Sequence, residues 1–191
     1  MASISEQKSL IRKEVTAKRQ LLTVDEWASK SRLIKEVILL SPEYENSDTI
    51  HCFISMNERF EVDTQSLIKD ILDQGKTLVV PITNFKKGIL SHSKLSSFEA
   101  LKPNKWGVLE PQEFKPVNND EIDLVLAPLL AADRTGNRLG YGKGFYDRFL
   151  STISAPAFGL LFEEFILENI PTDSFDQKLK GLISEKGFYY S

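Results

Sequence analysis

GNRLGYGKGFYDRF, residues 136–149, combines alternate glycines with two cations, neighbouring aromatic rings and an acid. A glycine has no Cβ, so its backbone N–H can approach a ligand closely and its φ can be positive without strain. Consecutive free N–H groups ahead of a helix form a nest that binds anions. Arg138 and Lys143 add full charges suited to phosphate oxygens. The stretch therefore predicts a phosphate-binding loop, and the alternative is a plain glycine-rich turn between a strand and a helix.

Two well-known nucleotide-binding patterns do not fit this loop. A Walker loop has Ser or Thr directly after its Gly-Lys pair, whereas Gly144 follows Lys143. A dinucleotide-binding fingerprint that starts at Gly140 and Gly142 requires a third glycine where this chain has Phe145. Phosphate binding is thus predicted from the chemistry of the loop and not from either named pattern.

The segments on both sides of the loop predict an α/β fold. Residues 122–128, IDLVLAP, form an apolar run typical of a parallel strand that is buried on both faces. Further helices are predicted at about 4–21, 23–40, 64–75, 145–152 and 163–168, and further strands at about 48–56, 77–80, 88–94, 157–162 and 182–184. This alternation predicts a single three-layer α/β/α domain, residues 1–191, with a mainly parallel sheet.

Several element boundaries are predicted from capping residues and prolines. Thr23 and Glu26 have the spacing of a capping box at the start of the second helix. Asp63 or Thr64 is expected to cap the third helix. Pro81 is expected to end the strand before it.

Composition and charge exclude several classes of protein. The chain has 191 residues, of which 41% are hydrophobic, and this suffices for one well-buried core. A net charge of −3 lacks the basic footprint of nucleic-acid-binding proteins. No apolar run is long enough to span a membrane, and the single cysteine, Cys52, excludes an intrachain disulfide. A cytoplasmic protein without nucleic-acid or membrane partners is therefore expected. The chain is also expected to be a monomer, although its composition does not determine this.

RLGYGKGFYDR at 138–148, with LAPLLAADRTGN before it at 126–137, resembles the signature of the 5-formyltetrahydrofolate cyclo-ligase family (5,10-methenyltetrahydrofolate synthetase). The usual family form is close to R-x-G-x-G-x-G-Y-Y-D, and Phe145 stands where the family has Tyr. Residues 106–111, WGVLEP, resemble the family segment Gly-Ile-x-Glu-Pro. The resemblance extends over nearly the whole chain.

The resemblance implies an α/β enzyme that uses ATP and Mg²⁺. Its reaction converts 5-formyltetrahydrofolate, possibly polyglutamylated, to 5,10-methenyltetrahydrofolate, ADP and phosphate. Family members carry a Lys-x-x-x-Arg pair on the N-terminal helix that contacts ATP, and Lys8 and Arg12 match it. The positions expected to bind ATP are Lys8, Arg12, Arg138, Leu139, Gly140, Tyr141, Gly142, Lys143, Gly144, Phe145 and Tyr146. Lys143, Arg138 and Tyr146 are expected to take part in catalysis.

Glu61 is expected to bind the folate. The family places a folate-binding Glu in the loop after the first strand, and the E-x-D-T of residues 61–64 matches its pattern. A carboxylate can accept two parallel hydrogen bonds from the amino-pyrimidinone edge of a pterin. Met56 and Tyr146 are assigned to the same substrate.

Asp147 and Asp176 are the expected Mg²⁺ ligands. Mg²⁺ prefers one or two carboxylates together with water and nucleotide phosphate oxygens. Asp176 falls where the family carries a C-terminal metal ligand, but Lys180 stands where a further acid is common.

Two other functions are compatible with the residues. One is an α/β enzyme that uses the loop for a sugar phosphate or coenzyme A, and the other is a non-catalytic protein that binds folate or nucleotide. Among the remaining residues, His51 in a strand is more often structural than a catalytic base, and His92 is assigned no role. Trp106 could line a ligand site or pack against the core.

Overall fold

A seven-stranded sheet forms the centre of the computed structural model, which describes residues 2–104 and 107–191. The helices are α1 (Ile4–Arg19), α2 (Val24–Leu39), α3 (Pro42–Glu45), α4 (Gln65–Asp73) and α5 (Phe145–Leu150). The strands are β1 (Thr49–Cys52), β2 (Thr77–Asn84), β3 (Ile89–Leu95), β4 (Leu101–Pro103), β5 (Leu109–Pro111), β6 (Leu124–Pro128), β7 (Ala131–Asp133), β8 (Arg138–Leu139), β9 (Ala157–Leu160), β10 (Ile166–Leu167), β11 (Gly181–Ser184) and β12 (Gly187–Tyr190). Trp106 lies outside the described residues.

The strand order of the central sheet is β12-β11-β9-β6-β1-β2-β3. The inner pairs, from β11 to β2, are parallel, whereas β12 and β3 at the two edges pair antiparallel. Two small sheets accompany it, with the orders β10-β7-β8 and β4-β5. The prediction of an α/β fold with a mainly parallel sheet is confirmed.

The middle strands are buried on both faces, as the apolar run at 122–128 predicts. Val125 in β6 pairs with His51 in β1, and neither side chain is exposed to solvent. Parallel strands in this position require apolar side chains above and below the sheet. His51, a polar residue in a buried strand, is therefore an exception to this pattern.

Capping boxes fix the starts of the first two helices. In α2, the Glu26 N–H donates to Oγ1 of Thr23 at 3.2 Å, and the Thr23 N–H donates back to Oε2 of Glu26 at 2.9 Å. The same reciprocal pair joins Ser3 and Glu6 at the start of α1. The predicted capping box at Thr23 is confirmed. Such a cap satisfies backbone donors that the first helical turn leaves unpaired.

The first strand is shorter than predicted, because its continuation bonds a side chain instead of a neighbouring strand. Thr64 Oγ1 donates to the Phe53 carbonyl at 2.7 Å and accepts from the Ser55 N–H at 2.9 Å. β1 therefore ends at Cys52 and not at Met56. Thr64 is occupied by these bonds and does not cap α4 with its side chain.

Pro81 does not end β2, which continues to Asn84. The parallel pairing with β1 stops at Val79, while the antiparallel pairing with β3 continues beyond it. At Pro81 the strand therefore has a neighbour on one side only, where a residue without an N–H is tolerated. The β2–β3 hairpin extends past the end of β1.

The segment after β9 also differs from the predicted helix at 163–168. Residues Glu163–Phe165 form a single 3₁₀ turn, and β10 follows immediately. β10 pairs with β7 of the long loop after β6, so tertiary pairing replaces the helix.

Among the described residues, no helix is both long enough and apolar enough to cross a membrane.

Replacing Ile38 of α2 by Ala should lower the free energy of unfolding by about 2–5 kcal/mol, since the side chain is buried in the core and its loss leaves a cavity. Urea denaturation measures this change. Leu40→Ala is the matched control, because Leu40 is 86% exposed, and its effect should stay within about 0.5 kcal/mol. Equal losses in the two variants would contradict the packing described for α2.

Candidate active site

A cavity of about 800 Å³ opens at the carboxyl ends of the central strands. Its walls include Ile54 after β1, Pro81 and Thr83 in the extended part of β2, and Pro128 at the end of β6. Open α/β sheets place their ligand sites at this edge. The cavity is lined by every residue that the sequence assigned to a site, namely Lys8, Arg12, Met56, Glu61, Arg138, Leu139, Gly140, Tyr141, Gly142, Lys143, Gly144, Phe145, Tyr146, Asp147 and Asp176.

A second cavity of about 650 Å³ adjoins the first on the other side of the glycine-rich loop. The two share Lys8, Arg12, Gly142, Gly144, Asp147 and Asp176. The loop and the N-terminal part of α1 thus form a common wall between two spaces.

Between residues 140 and 144, the loop requires glycine at two positions. Gly142 and Gly144 have φ values of +84° and +65°, in the left-handed region that L side chains rarely adopt. A Cβ on Gly142 would also lie 3.1 Å from Cζ of Arg12. Main chain and guanidinium therefore approach each other more closely here than another residue would permit.

Cations from α1 are fixed against the loop and its surroundings. Arg12 donates from Nε to the Gly140 carbonyl at 2.8 Å. Lys8 is buried and donates to Asp173 at 2.8 Å and to Asp176 at 2.5 Å. Burial opposes the charge on Lys8, but the two carboxylates outweigh it and raise the pKa of the ammonium group. Lys8 is therefore a cation held in a fixed position.

Arg138 and Asp147, which the sequence assigned to phosphate and metal, pair with each other. Arg138 Nη2 donates to Asp147 Oδ1 at 2.6 Å, and the Arg138 side chain is only 4% exposed. The Gln177 N–H donates to the same oxygen at 3.2 Å, which brings the neighbouring Asp176 to this end of the cavity. Both aspartates thus line the same two cavities, and each pairs with a cation.

The two aspartates fit Mg²⁺ only as part of a ligand set. Within the described residues, no group of three or more His, Cys, Asp or Glu side chains could hold a metal ion. The hydrogen bonds of that same part of the chain leave Oδ2 of Asp147 and Oδ1 of Asp176 open. Two carboxylate oxygens suit Mg²⁺ when phosphate oxygens and water complete its octahedron.

Glu61 is a buried carboxylate with both oxygens engaged. Oε2 accepts from the Met56 N–H at 2.7 Å, and Oε1 accepts a short hydrogen bond from the Tyr141 hydroxyl. The preceding residue, Phe60, is the non-glycine residue with positive φ in the described part of the chain, at +52°. Such strained backbone is typical of functional sites, where the surrounding structure holds it in place. Here the strained residue directly precedes Glu61, which lines the cavity.

Tyr146 presents a hydroxyl that is ready to donate. Its Oη is buried and has no hydrogen-bond partner within the described residues. Burial raises the pKa of Tyr146 well above its usual value of 10, so the group keeps its proton. A buried donor without a partner is unfavourable unless a ligand or water accepts from it.

The side chain of Arg148 ties the β2–β3 hairpin to the glycine-rich loop. Its Nε donates to the Gly88 carbonyl at 2.6 Å, and its Nη2 donates to the Lys143 carbonyl at 2.8 Å. Phe85 and Phe145 make an edge-to-face contact beside it, with ring centroids 5.7 Å apart. The tip of the hairpin and the loop therefore form one connected wall.

Sequence reasoning missed the role of Arg19 and of the Tyr141 hydroxyl. The sequence assigns Arg19 no role, yet its side chain is buried, at 3% exposed. A signal was present, because Lys8, Arg12, Val15 and Arg19 recur at four- and three-residue steps and share one helix face. The apolar walls of the cavity carried no such signal.

The buried His51 and the half-buried His92 form a pair next to Tyr146. His51 Nε2 lies 3.2 Å from His92 Nδ1, and the ring of Phe149 packs against both. Burial, with a smaller effect of His92, lowers the pKa of His51 well below its usual 6.5, and burial lowers the pKa of His92 to about 4. Both imidazoles are neutral at pH 7. This explains how His51 is tolerated in a buried strand.

Comparisons with known proteins agree with this architecture. Residues 4–185 match the model of a family described as the 5-formyltetrahydrofolate cyclo-ligase family. The chain is 31% identical over 196 residues to 5-formyltetrahydrofolate cyclo-ligase from Mus musculus, with 96% of each chain covered. It is 30% identical over 187 residues to the protein of that name from Haemophilus influenzae, with 94% of this chain and 98% of the relative covered.

A solved structure shows the same fold. The NMR structure of 5,10-methenyltetrahydrofolate synthetase from Aquifex aeolicus aligns with a TM-score of 0.85 and 29% sequence identity. The alignment covers 96% of this chain and 92% of that chain.

Asp147→Asn should lower the free energy of unfolding by about 2–3 kcal/mol, because it leaves the buried Arg138 charge without its partner. Chemical denaturation at neutral pH measures the change. Glu36→Gln removes the acid of an exposed pair with Arg32 and serves as the control, with an expected loss of about 0.5 kcal/mol or less. Similar losses in both variants would show that the Arg138 pair is not a special stabilising contact.

His92→Gln should reduce the loss of stability on acidification. Above the ordinary pKa of 6.5, His92 is neutral in both the folded and the unfolded chain. Between about 6.5 and about 4, only the unfolded chain binds the proton, so this residue destabilises the fold by up to about 1.4 kcal/mol for each pH unit. Unfolding free energies of wild type and variant, measured from pH 7 to pH 4, should converge or cross as pH falls. A difference independent of pH would refute the depressed pKa.

Proposed function

This chain belongs to the 5-formyltetrahydrofolate cyclo-ligase family, and we propose that it converts 5-formyltetrahydrofolate to 5,10-methenyltetrahydrofolate with ATP and Mg²⁺, releasing ADP and phosphate. The observation that carries this proposal is the pairing of two features in one cavity. A cation-bearing glycine loop suits phosphate, and the buried carboxylate of Glu61 suits the polar edge of a pterin.

Glu61 is the proposed anchor of the folate. Its carboxylate is held by Met56 and Tyr141 and retains lone pairs for the two donors of an amino-pyrimidinone. Apolar side chains such as Ile54, Leu90 and Leu109 line the same cavity and suit the flat rings of a folate. The unpartnered Tyr146 hydroxyl would donate to an acceptor on this substrate.

The phosphates of ATP are proposed to lie at the wall that the two cavities share. Lys143 makes no ion pair within the described residues and is exposed beside the loop glycines, so its charge is available to an anion. Arg12 lies against the same loop, and Lys8 supplies a fixed charge from α1. Arg138, although paired with Asp147, also lines the cavity. Together these groups would neutralise the charge of a triphosphate.

Asp147 and Asp176 are the residues that would hold Mg²⁺, through the oxygens to which no group in residues 2–104 and 107–191 donates. When bound, the metal ion would neutralise charge on the phosphates and orient them. Lys8 and Arg138 would keep both aspartates in place before the nucleotide arrives, because each cation holds the other oxygen of its aspartate.

The chemical difficulty is that the oxygen of an amide-like formyl group leaves poorly. Transfer of the ATP γ-phosphoryl group to the formyl oxygen creates an imidate-like phosphate. N10 of the folate then attacks the formyl carbon and the five-membered ring closes. The C–O bond breaks, and the departing phosphate takes the N10 proton. The protein contributes positioning and charge neutralisation, as in other phosphoryl transfers.

The first step requires no general base, because the formyl oxygen carries no proton. This agrees with the histidines of the described residues, which are neutral at pH 7 and pack below the cavity. Lys143 and Arg138 are assigned to the charge that develops on the transferred phosphoryl group, and Tyr146 to the folate. Their role in catalysis is thus electrostatic.

Lys143→Ala should slow product formation about 10²-fold or more, because it removes a charge that the transition state would use. The assay follows the absorbance of the methenyl product with purified protein, 5-formyltetrahydrofolate and Mg²⁺, before and after ATP is added. Lys13→Ala is the matched control, since Lys13 is an exposed lysine on α1 that does not line the cavity. Wild type and control should respond only after ATP is added.

Two outcomes would contradict this function. Folded wild-type protein that binds the folate without forming product, with or without ATP, would indicate a non-catalytic binding protein. Absence of both folate binding and phosphate release would point to another phosphorylated substrate, such as a sugar phosphate or coenzyme A.

A further inference from the structure

Arg19, the last residue of α1, is a buried cation that contacts no carboxylate within ion-pair distance in the described part of the chain. Its Nη2 donates to the carbonyl of Leu129 at 2.9 Å and to that of Leu130 at 3.3 Å. Its guanidinium lies over the ring of Phe165, 5.4 Å from the centroid. A buried charge is costly unless other groups compensate it. Packing of α1 alone therefore does not account for an arginine at this buried position.

The remaining contact of Arg19 is with the Tyr141 hydroxyl. Nη1 of Arg19 lies 3.4 Å from Tyr141 Oη, and the same hydroxyl donates to Glu61 Oε1. A guanidinium has donors only, so the hydroxyl must accept from Arg19 and direct its single proton toward Glu61. The three side chains therefore form a chain of hydrogen bonds in which Arg19 donates to Tyr141 and Tyr141 donates to Glu61.

The charges around Tyr141 reinforce that direction. Burial and the Glu61 carboxylate raise the pKa of Tyr141, while Arg19 opposes the shift from the other side. The hydroxyl keeps its proton, and the carboxylate remains the acceptor. With the Met56 N–H on Oε2, each oxygen of Glu61 has one fixed donor.

We propose that Arg19 is a positioning residue for the folate: through Tyr141 it fixes the orientation of Glu61, so that the carboxylate meets both donors of the amino-pyrimidinone edge. This inference rests on the proposed function. A residue that sets the folate affinity would then lie on the helix that also carries Lys8 and Arg12. The Tyr141 side chain would act on the folate, whereas the backbone of the same loop would act on phosphate.

A residue that merely stabilised α1 would leave a different signature. Its loss would lower the free energy of unfolding and reduce the fraction of folded, active molecules. The molecules that remain folded would bind the folate with unchanged affinity. A positioning residue instead raises the folate Kd, leaves the KM for ATP nearly unchanged, and loses its effect once the Tyr141 hydroxyl is absent. Non-additivity of this kind reports that two residues act through one contact.

The experiment is a double-mutant cycle on the Kd of 5-formyltetrahydrofolate, measured by isothermal titration calorimetry without ATP. Arg19→Met and Tyr141→Phe should each raise the Kd about 10- to 100-fold, as expected for a lost hydrogen bond next to a charge. The double variant should bind no more weakly than the weaker single variant. Steady-state kinetics on the same proteins should show a KM for ATP within about twofold of wild type.

Two further variants keep the test decisive. Arg32→Met replaces an exposed arginine on α2 and should leave the folate Kd unchanged. Arg19→Lys keeps the charge but lacks the planar fork that reaches both Tyr141 and the Leu129 carbonyl, so its Kd should lie between those of wild type and Arg19→Met. If Arg19→Met does not fold, Arg19→Lys and Tyr141→Phe complete the cycle.

Three results separate the possibilities. A wild-type Kd in folded Arg19 variants, or strictly additive effects of Arg19 and Tyr141 substitutions, overturns the positioning role while the proposed function stands. A matching rise in the KM for ATP also overturns it, because the effect would then belong to the whole cavity. Wild-type protein that neither binds nor converts the folate overturns the proposed function and this inference with it.

Discussion

Burial of the central parallel strands on both faces is the constraint on which the rest of the molecule depends. β1 and β6 are neighbours in the sheet, and both of their faces are buried. Other parts of the chain must therefore cover these faces, and polar side chains are placed mainly beyond the ends of the strands. The chain therefore places its charged and glycine-rich segments where these strands stop, and the cavity forms at that edge. Even the two histidines of this region obey the constraint, since burial keeps His51 and His92 uncharged.

How far the sequence predicts the molecule depends on how local each signal is. The capping box at Thr23 and the apolar run at 122–128 involve neighbours in the chain, and the structure contains both. The features that the sequence did not predict depend on contacts between residues far apart in the chain. Pro81 is compatible with β2 because β1 stops short of it, and no local pattern reveals where another strand ends. Arg19 was not predicted as a site residue, because its partners are carbonyls and a hydroxyl more than a hundred positions away in the chain.

For the site, the sequence predicted which residues assemble but not how they pair. Phosphate ligands and metal ligands were assigned as separate groups, whereas Arg138 lies against Asp147 and Lys8 against Asp176. Cations and carboxylates in one cavity compensate each other before any ligand binds, because an unpaired buried charge is too costly. A nucleotide and its metal ion would consequently exchange partners with groups already in place, which limits the reorganisation that binding requires.

The β2–β3 hairpin has a mechanical consequence. Its two strands extend the edge of the central sheet beyond the end of β1, and Arg148 connects its tip to the loop that holds Lys143. Two hydrogen bonds from a single exposed side chain therefore act as a latch between the hairpin and the opposite wall. Where departure of product limits turnover, the strength of such a latch sets the rate. Selection could then adjust the speed of the enzyme at a residue to which no part in the chemistry is assigned.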